Sequence, residues 1–334
     1  MIPTAKFSPK TRLRRNRRSD FIRQSLAETH FGIENLVNPL FICEGQKVST
    51  AIQSMPGISR LSTDLVLKEV EACLKLGLNS FALFPVILDA AKNPQASEAL
   101  NEKGLAISSL KKIRKEFPEA VLYTDIALDP FSSDGHDGLV ENGEILNDAS
   151  VEVLVKMALL QAAAGADYVC PSDMMDGRIG AIRTALDQAG FSQIGIMAYS
   201  AKYASSFYGP FREALSSAPK FGDKKTYQMD FRNRREALRE VKLDIQEGAD
   251  IVMVKPALAY LDVILSLKQK CDVPIAAYNV SGEYAMIKIA ALAGAIDGDK
   301  AALECLTAIR RAGADLIFTY FAKEMAVKLS RGHI

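Results

Sequence analysis

The sequence of 334 residues contains no tryptophan, only three histidines and almost no net charge. Its 41 basic side chains balance 40 acidic ones, so its charge gives no reason to expect a polyanionic partner. The five cysteines form no C-x-x-C pair, which argues against a disulfide framework and a thiolate zinc site. The chain also lacks a secretory signal and the roughly 18 consecutive apolar residues of a membrane span. We therefore expect a soluble cytoplasmic protein that binds neither nucleic acid nor membranes.

One phrase recurs in the chain. The pattern x-G-A-D followed by an apolar run begins at Ala164, Glu247 and Ala312. Glycine commonly ends a helix, and a short apolar run indicates a buried strand. Such runs occur eight times in all, at residues 39–43, 80–84, 121–126, 168–170, 195–199, 251–254, 275–278 and 316–319. Helical patterns lie between them, for example at residues 63–76, 151–163, 234–246 and 260–270.

Eight strand and helix units predict an α/β fold, a parallel (β/α)8 TIM barrel. We assign the catalytic barrel to residues 36–334 and an N-terminal extended arm, which contacts neighbouring subunits, to residues 1–35. A doubly wound parallel sheet is the alternative, but it does not explain the count of eight so naturally. The basic run at residues 12–18 lacks interleaved aromatic residues, so an arm that grips another subunit is favoured over nucleic-acid binding.

Polar side chains follow most of the predicted strands, at the carboxyl ends where barrel enzymes carry their chemistry. The candidates, in strand order, are Asp125, Asp129, Ser172, Lys202, Lys255, Tyr278, Ser281 and Tyr320. Their joint position predicts a single active-site rim.

Lys202 and Lys255 follow neighbouring strands, about 4.8 Å apart in a sheet. Burial and repulsion between two ammonium groups both lower a lysine pKa. A neutral amine can attack a ketone and form a Schiff base. Two such lysines predict one substrate carbonyl for each.

The segment at about 203–231 is too long for a simple connection and predicts an active-site lid. It contains Tyr208 as an aromatic wall and Arg212, Lys224 and Gln228 as donors suited to carboxylates. This composition predicts an anionic keto substrate.

A carboxylate-rich loop follows the third strand. Asp125, Asp129, Asp134 and Asp137 fall within thirteen residues, together with His136. Hard oxygen ligands of this kind suit magnesium better than zinc. Asp134 is better explained by turn chemistry. Asp129 and Asp137 are thus candidate ligands of an active-site cation.

Several phrases are highly specific when taken together. They are R-L-R-R-N-R-R from Arg12, C-P-S-D-M-M-D-G-R-I-G-A-I-R from Cys170, M-A-Y-S-A-K-Y-A-S-S-F-Y-G-P-F-R from Met197, V-M-V-K-P from Val252 and V-S-G-E-Y-A-M from Val280. Through them the chain resembles the porphobilinogen synthase (delta-aminolevulinic acid dehydratase) family, of the bacterial magnesium-responsive kind, from about residue 11 to 330.

The resemblance implies a homo-octamer that condenses two 5-aminolevulinate molecules to porphobilinogen. It assigns the Schiff bases to Lys202 and Lys255, with Lys255 essential. One substrate carboxylate would bind Arg212, Lys224 and Gln228, and the other would bind Ser281 and Tyr320.

The resemblance also bears on metals. Zinc-dependent relatives carry three cysteines where this chain has Ala127, Asp129 and Asp137, so no zinc is expected. Glu240 matches the acidic residue near an allosteric magnesium held largely through water. The chain departs from the family pattern at Asp134 and at residues 230–236. A class I Schiff-base aldolase remains the alternative, although it leaves the second lysine and the cationic lid without a role.

Overall fold

The computed structural model describes residues 10–330, so residues 1–9 of the predicted arm and 331–334 of the predicted barrel lie outside it. Eight parallel strands form its centre: β1 (Leu36–Cys43), β2 (Ser80–Val86), β3 (Val121–Ile126), β4 (Tyr168–Pro171), β5 (Gly195–Lys202), β6 (Ile251–Lys255), β7 (Ile275–Asn279) and β8 (Leu316–Thr319). Each strand pairs with the next, and β8 pairs with β1. The sheet is therefore closed, and the (β/α)8 prediction is confirmed.

Helices cover the outside of the barrel, which explains why its strands are apolar on both faces. The α-helices are Asp20–Ser25, Thr63–Leu74, Leu105–Glu116, Asn147–Ala164, Arg178–Gln188, Gly209–Leu215, Arg234–Glu247, Leu261–Lys268, Ser281–Leu292, Gly298–Ala312 and Ala322–Ser330. Short strands lie outside the main barrel order at Ser49–Ala51, Ser59–Ser62, Leu139–Glu141 and Glu144–Leu146. The last two form an antiparallel hairpin in the loop after β3.

The repeated x-G-A-D phrase forms the same clasp at three places on the amino-terminal end of the barrel. Its glycines end helices with positive φ values, +105° at Gly165, +107° at Gly248 and +119° at Gly313. Each aspartate then accepts a hydrogen bond from a backbone N–H of the preceding strand. The pairs are Asp167 with Leu122 (2.7 Å), Asp250 with Ile196 (2.7 Å) and Asp315 with Ile275 (2.9 Å). The motif thus joins each new strand to its neighbour at the end of the barrel opposite to the predicted active site.

The described part of the arm is highly exposed. Leu13, Phe21 and Leu26 have exposed fractions of 68%, 78% and 54%. Large exposed apolar patches mark interaction surfaces, and the expectation that this arm contacts another subunit stays a prediction. No helix within residues 10–330 combines the length and the apolar character that crossing a membrane would require.

The clasp predicts a stability effect that is separate from catalysis. In Asp250→Ala the N–H of Ile196, a fully buried residue, loses its acceptor. We expect the free energy of unfolding to fall by about 1–3 kcal/mol, measured by urea denaturation. Asp272→Ala, at an exposed position, is the control. Equal stability of the two variants would contradict the role given to the clasp.

Candidate active site

Lys202 and Lys255 face each other across β5 and β6. Their Cα atoms are direct partners in the parallel ladder. The register shifts between Val252 and Val254, because β5 contains one more residue than β6 over this stretch. Without that bulge, Lys255 would lie opposite Ala201. The two lysines therefore lie side by side, as predicted, and the bulge makes them direct partners in the ladder.

Lys255 is buried among aromatic rings. Its Nζ lies 4.7 to 5.4 Å from four ring centroids, those of Tyr278, Phe211, Tyr199 and Tyr208. Burial, followed by the charge of Lys202, lowers the pKa of Lys255 to about 7. A large fraction of this amine is therefore neutral and nucleophilic near neutral pH.

Two of these aromatic residues, Tyr199 and Phe211, were not among the sequence candidates. Tyr199 lies within the apolar run of β5, where it is indistinguishable from a core residue. Phe211 follows Tyr208 by three positions, a spacing that puts both side chains on one helical face. That spacing was the available signal.

Lys202 has a different environment. Its Nζ donates to the Asp137 carboxylate at 2.9 Å and to the backbone carbonyl of Ser172. Burial alone would raise the pKa of Asp137, but Lys202 and Lys224 outweigh it and hold that pKa well below its usual range. The two lysines therefore have different surroundings. Lys202 contacts a carboxylate, whereas Lys255 lies among aromatic rings.

The cationic lid residues also rest on the carboxylate loop. Lys224 donates to Asp137 at 2.6 Å and to Asp129 at 3.3 Å, and the Gln228 amide donates to Asp137 at 3.4 Å. Burial opposes the charge on Lys224, but the two carboxylates raise its pKa above the usual value. Asp129 and Asp137 thus have ammonium partners, which an active-site cation would have to displace.

Asp125 lies at the end of β3 in the same pocket. Removal from water, followed by the nearby Asp129 charge, raises the pKa of Asp125 to about 7. A carboxyl group of this kind can accept and return a proton near neutral pH.

Ten of the sequence-predicted residues line one small cavity of about 30 Å³. They are Asp125, Asp129, Asp137, Ser172, Lys202, Tyr208, Arg212, Lys224, Gln228 and Lys255, with Phe211 also in the wall. The helix Gly209–Leu215, here called the lid helix, contributes Phe211 and Arg212 to the wall of the cavity, and the segment that follows it contributes Lys224 and Gln228.

Tyr278, Ser281 and Tyr320 lie behind the wall of this cavity. The hydroxyl groups of Tyr278 and Tyr320 are 3.1 Å apart, and the Tyr278 ring contacts Lys255. The Ser281 hydroxyl accepts a hydrogen bond from the backbone N–H of Phe211 at 2.9 Å. These residues form a second region, next to Lys255 and under the lid helix.

The lid is also tied to the carboxylate loop through its backbone. Lys220 N–H donates to the Asp134 carbonyl at 3.0 Å, and the two ring nitrogens of His136 lie 3.1 Å from the Phe221 carbonyl and the Tyr227 hydroxyl. Asp134 therefore contacts the lid through its main-chain carbonyl.

Residues 230–236 are the second place where the chain departs from the family pattern. There, Asp230 pairs with Arg232 and closes the turn before the helix Arg234–Glu247.

Glu240 lies outside this pocket, on the helix Arg234–Glu247. It lines a larger cavity of about 980 Å³ together with Asp176 and Glu236. Burial, followed by nearby carboxylates led by Asp244, raises the pKa of Glu240 despite Arg178. Within residues 10–330, no three histidine, cysteine or acidic side chains converge as a directly coordinating metal site. The local excess of negative potential and the free volume suit a hydrated cation, since Mg²⁺ commonly retains several waters.

Comparison with known proteins agrees with this geometry. The family model described as delta-aminolevulinic acid dehydratase matches residues 10–328. The chloroplastic delta-aminolevulinic acid dehydratase of Glycine max is 55% identical over 94% of this chain and 77% of its own length. The delta-aminolevulinic acid dehydratase of Bradyrhizobium diazoefficiens is 52% identical over 95% of this chain and 90% of its own length. A crystal structure of the Toxoplasma gondii enzyme with its product porphobilinogen superposes with a TM-score of 0.94 at 50% identity, covering 96% of this chain and 91% of that one. The chain therefore belongs to the delta-aminolevulinic acid dehydratase family.

Proposed function

We propose that this chain condenses two 5-aminolevulinate molecules into porphobilinogen with loss of two waters, an early step of tetrapyrrole and haem biosynthesis. The observation that carries the proposal is the direct pairing of Lys202 with Lys255 in one pocket. The family membership of the chain supports it. A class I aldolase needs only one Schiff-base lysine, so the pair favours the synthase.

The chemistry begins with capture of a ketone by each lysine. Each amine adds to one carbonyl carbon and expels one water, which accounts for the two waters released. The protonated imine acidifies the adjacent carbon, and loss of that proton gives an enamine. Asp125, with its pKa near 7, is suited to take the proton.

Ring closure then uses the second substrate. The enamine carbon of one substrate attacks the imine carbon of the other and forms the C–C bond. The free amino nitrogen of the second substrate replaces the lysine nitrogen on the first and forms the C–N bond. Release of the remaining lysine and loss of a proton aromatise the pyrrole, so both lysines return to their starting state.

Each substrate carboxylate has its own set of donors in this proposal. Arg212, Lys224 and Gln228 would hold the carboxylate of the substrate on Lys202, because Lys224 and Lys202 already share Asp137. Ser281 and Tyr320 would hold the other carboxylate, because Tyr278 bridges Tyr320 and Lys255.

The lid must open for either substrate to enter. A cavity of about 30 Å³ has room for about one water molecule. In the closed arrangement Lys224 and Gln228 are held by Asp137. A substrate carboxylate would replace Asp137 as the acceptor for these donors. The new hydrogen bonds would then hold the lid over the bound substrate.

The regulation and assembly of the chain are part of the same proposal. We propose a homo-octamer, supported by the exposed apolar arm residues, with an allosteric magnesium near Glu240. Glu240, Asp176 and Glu236 would hold the ion largely through water, and its charge would offset their mutual repulsion. Asp129 and Asp137 do not favour a second cation while Lys202 and Lys224 neutralise them. No zinc is expected where the chain has Ala127, Asp129 and Asp137, and a cytoplasmic location stays a prediction from the sequence.

Product formation tests the activity directly. Incubation of the purified protein with 5-aminolevulinate and Mg²⁺ should yield porphobilinogen, identified by mass and NMR. Lys255→Met should lower the rate by about 10³-fold or more, since the essential nucleophile is lost. Lys111→Met, on an outer helix, is the control and should keep the wild-type rate. Absence of product from the wild-type protein would overturn the proposed function.

The environment of Lys255 predicts a pH dependence. The neutral amine becomes available as pH rises through its pKa of about 7. Borohydride trapping of 5-aminolevulinate on Lys255 should therefore rise about tenfold per unit below pH 7 and level off above about pH 8. In Lys202→Met the midpoint should move to higher pH, because a repelling charge is removed. A midpoint near 10 in the wild-type protein would contradict this assignment.

Magnesium dependence tests the role of Glu240. Activity and assembly mass are measured together across a Mg²⁺ titration. In the wild-type protein both should increase together, whereas in Glu240→Gln the increase should need at least about tenfold more Mg²⁺. Glu152→Gln, at an exposed position of the helix Asn147–Ala164, is the matched control. Loss of activity on chelation without loss of mass would instead point to the Asp129 and Asp137 loop.

A further inference from the structure

A buried carboxylate lies where the helix Ser281–Leu292 meets the loop after β6, and it takes no part in the chemistry above. Glu283 is fully buried in the first turn of the helix Ser281–Leu292. One carboxylate oxygen accepts from Leu258 N–H at 2.8 Å. The other accepts from Val280 N–H at 3.0 Å and from the Asn279 amide at 3.1 Å. Glu283 therefore bonds both to its own helix and to the loop after β6.

The hydrogen bonds continue to the next strand. The Thr319 hydroxyl donates to the Asn279 side-chain oxygen at 2.9 Å and accepts from Phe321 N–H at 3.2 Å. Asn279 and Thr319 are both fully buried. We call Asn279, Glu283 and Thr319 the Glu283 network. It joins the carboxyl-terminal ends of three adjacent strands, β6, β7 and β8.

A helix cap alone does not require such a network. The bond from Glu283 to Val280 N–H is an ordinary capping interaction, which serves the helix. The bond to Leu258 and the link through Asn279 to Thr319 reach two other segments. Burial outweighs the N–H donors around Glu283 and raises the pKa of that carboxyl to about 7. A buried polar group of this cost is tolerated where its network fixes one arrangement of the surrounding segments.

Each segment held by the network carries one residue of the same subsite. Leu258 is three residues after Lys255, Ser281 follows Val280, and Tyr320 follows Thr319. The network thus forms hydrogen bonds to segments that adjoin Lys255, Ser281 and Tyr320, which carry the imine-forming amine and the two proposed carboxylate-binding hydroxyls.

We propose that the Glu283 network is a positioning device that fixes the span between the Lys255 amine and the hydroxyls of Ser281 and Tyr320. This span sets where the ketone of a 4-oxo acid lies when its carboxylate is bound. The inference rests on the proposed function, because it assigns the network to one of the two substrate sites. Glu283 is a positioning residue and does not touch the substrate.

Two variants of nearly unchanged shape test the network. In Glu283→Gln the amide nitrogen cannot accept, so at least one of the three N–H donors loses its partner. In Thr319→Val the link to Asn279 and the acceptor for Phe321 N–H are both lost. The matched control is Asp315→Asn, because Asp315 joins β7 and β8 at the opposite end of the barrel.

The readout compares the two lysines within one molecule. After borohydride trapping of 5-aminolevulinate, peptide mass spectrometry gives the ratio of label on Lys255 to label on Lys202. We expect Glu283→Gln to lower this ratio at least about tenfold and kcat by about 10- to 100-fold, since small misplacements of a reacting group have effects of this size. Thr319→Val should lower the ratio and raise KM, because it disturbs the Tyr320 side of the span. Asp315→Asn should lower Tm while leaving the ratio and kcat within about twofold.

The proposal is overturned if Glu283→Gln lowers Tm but keeps the labelling ratio and kcat within twofold of wild type. If Glu283→Gln does not fold, the labelling ratio of Lys255 to Lys202 in Thr319→Val tests the proposal, and a ratio within twofold of wild type overturns it. If wild-type protein traps no 5-aminolevulinate on either lysine, the proposed function fails instead. Competitive acetylation of Lys255 against Lys202, which needs no substrate, then tests the network. A change of at least threefold in that ratio in Glu283→Gln supports it, and an unchanged ratio overturns it.

Discussion

Two lysine amines meet at the mouth of the barrel, and the rest of the site is arranged around the electrostatic conflict between them. Both cannot easily be ammonium ions in a dry pocket. The structure resolves the conflict by giving them different neighbours. Lys202 lies against Asp137, whereas Lys255 lies among four aromatic rings. Lys202 is thereby paired with a carboxylate, and Lys255 is biased towards its nucleophilic form.

This division of roles depends on the carboxylate loop and the lid together. Asp137 accepts from Lys202 on the barrel and from Lys224 on the lid, so it connects lid position to the charge of the pocket. Phe211 closes the other side and helps to exclude water from Lys255. The segment that carries Phe211 and Lys224 therefore contributes to both environments, the rings around Lys255 and the carboxylate beside Lys202.

Much of the site was predictable because barrel topology converts sequence position into spatial position. Any polar residue just after a strand falls on one rim. The carboxylate and lysine side chains are therefore predicted to lie together from their positions in the sequence. Tyr199 is not predicted, because an aromatic residue within an apolar strand has the same pattern whether it packs in a core or lines a pocket. Phe211 is indicated only by its three-residue spacing from Tyr208. The ion pairs of Lys224 were equally hidden, since a lid donor could serve a substrate, solvent or a neighbouring carboxylate.

The order of strands, the helix ends at the x-G-A-D phrases and the side chains available for Schiff-base chemistry all follow from the amino-acid sequence. These features are local, because periodicity, glycine conformation and residue type act over a few positions. The bulge in β5 that sets Lys202 directly opposite Lys255 is evident only in the folded chain. The same holds for the pairing of Lys202 with a carboxylate and for the buried carboxylate of Glu283 that joins three strand ends. Such facts depend on register and burial, which arise only when distant segments pack.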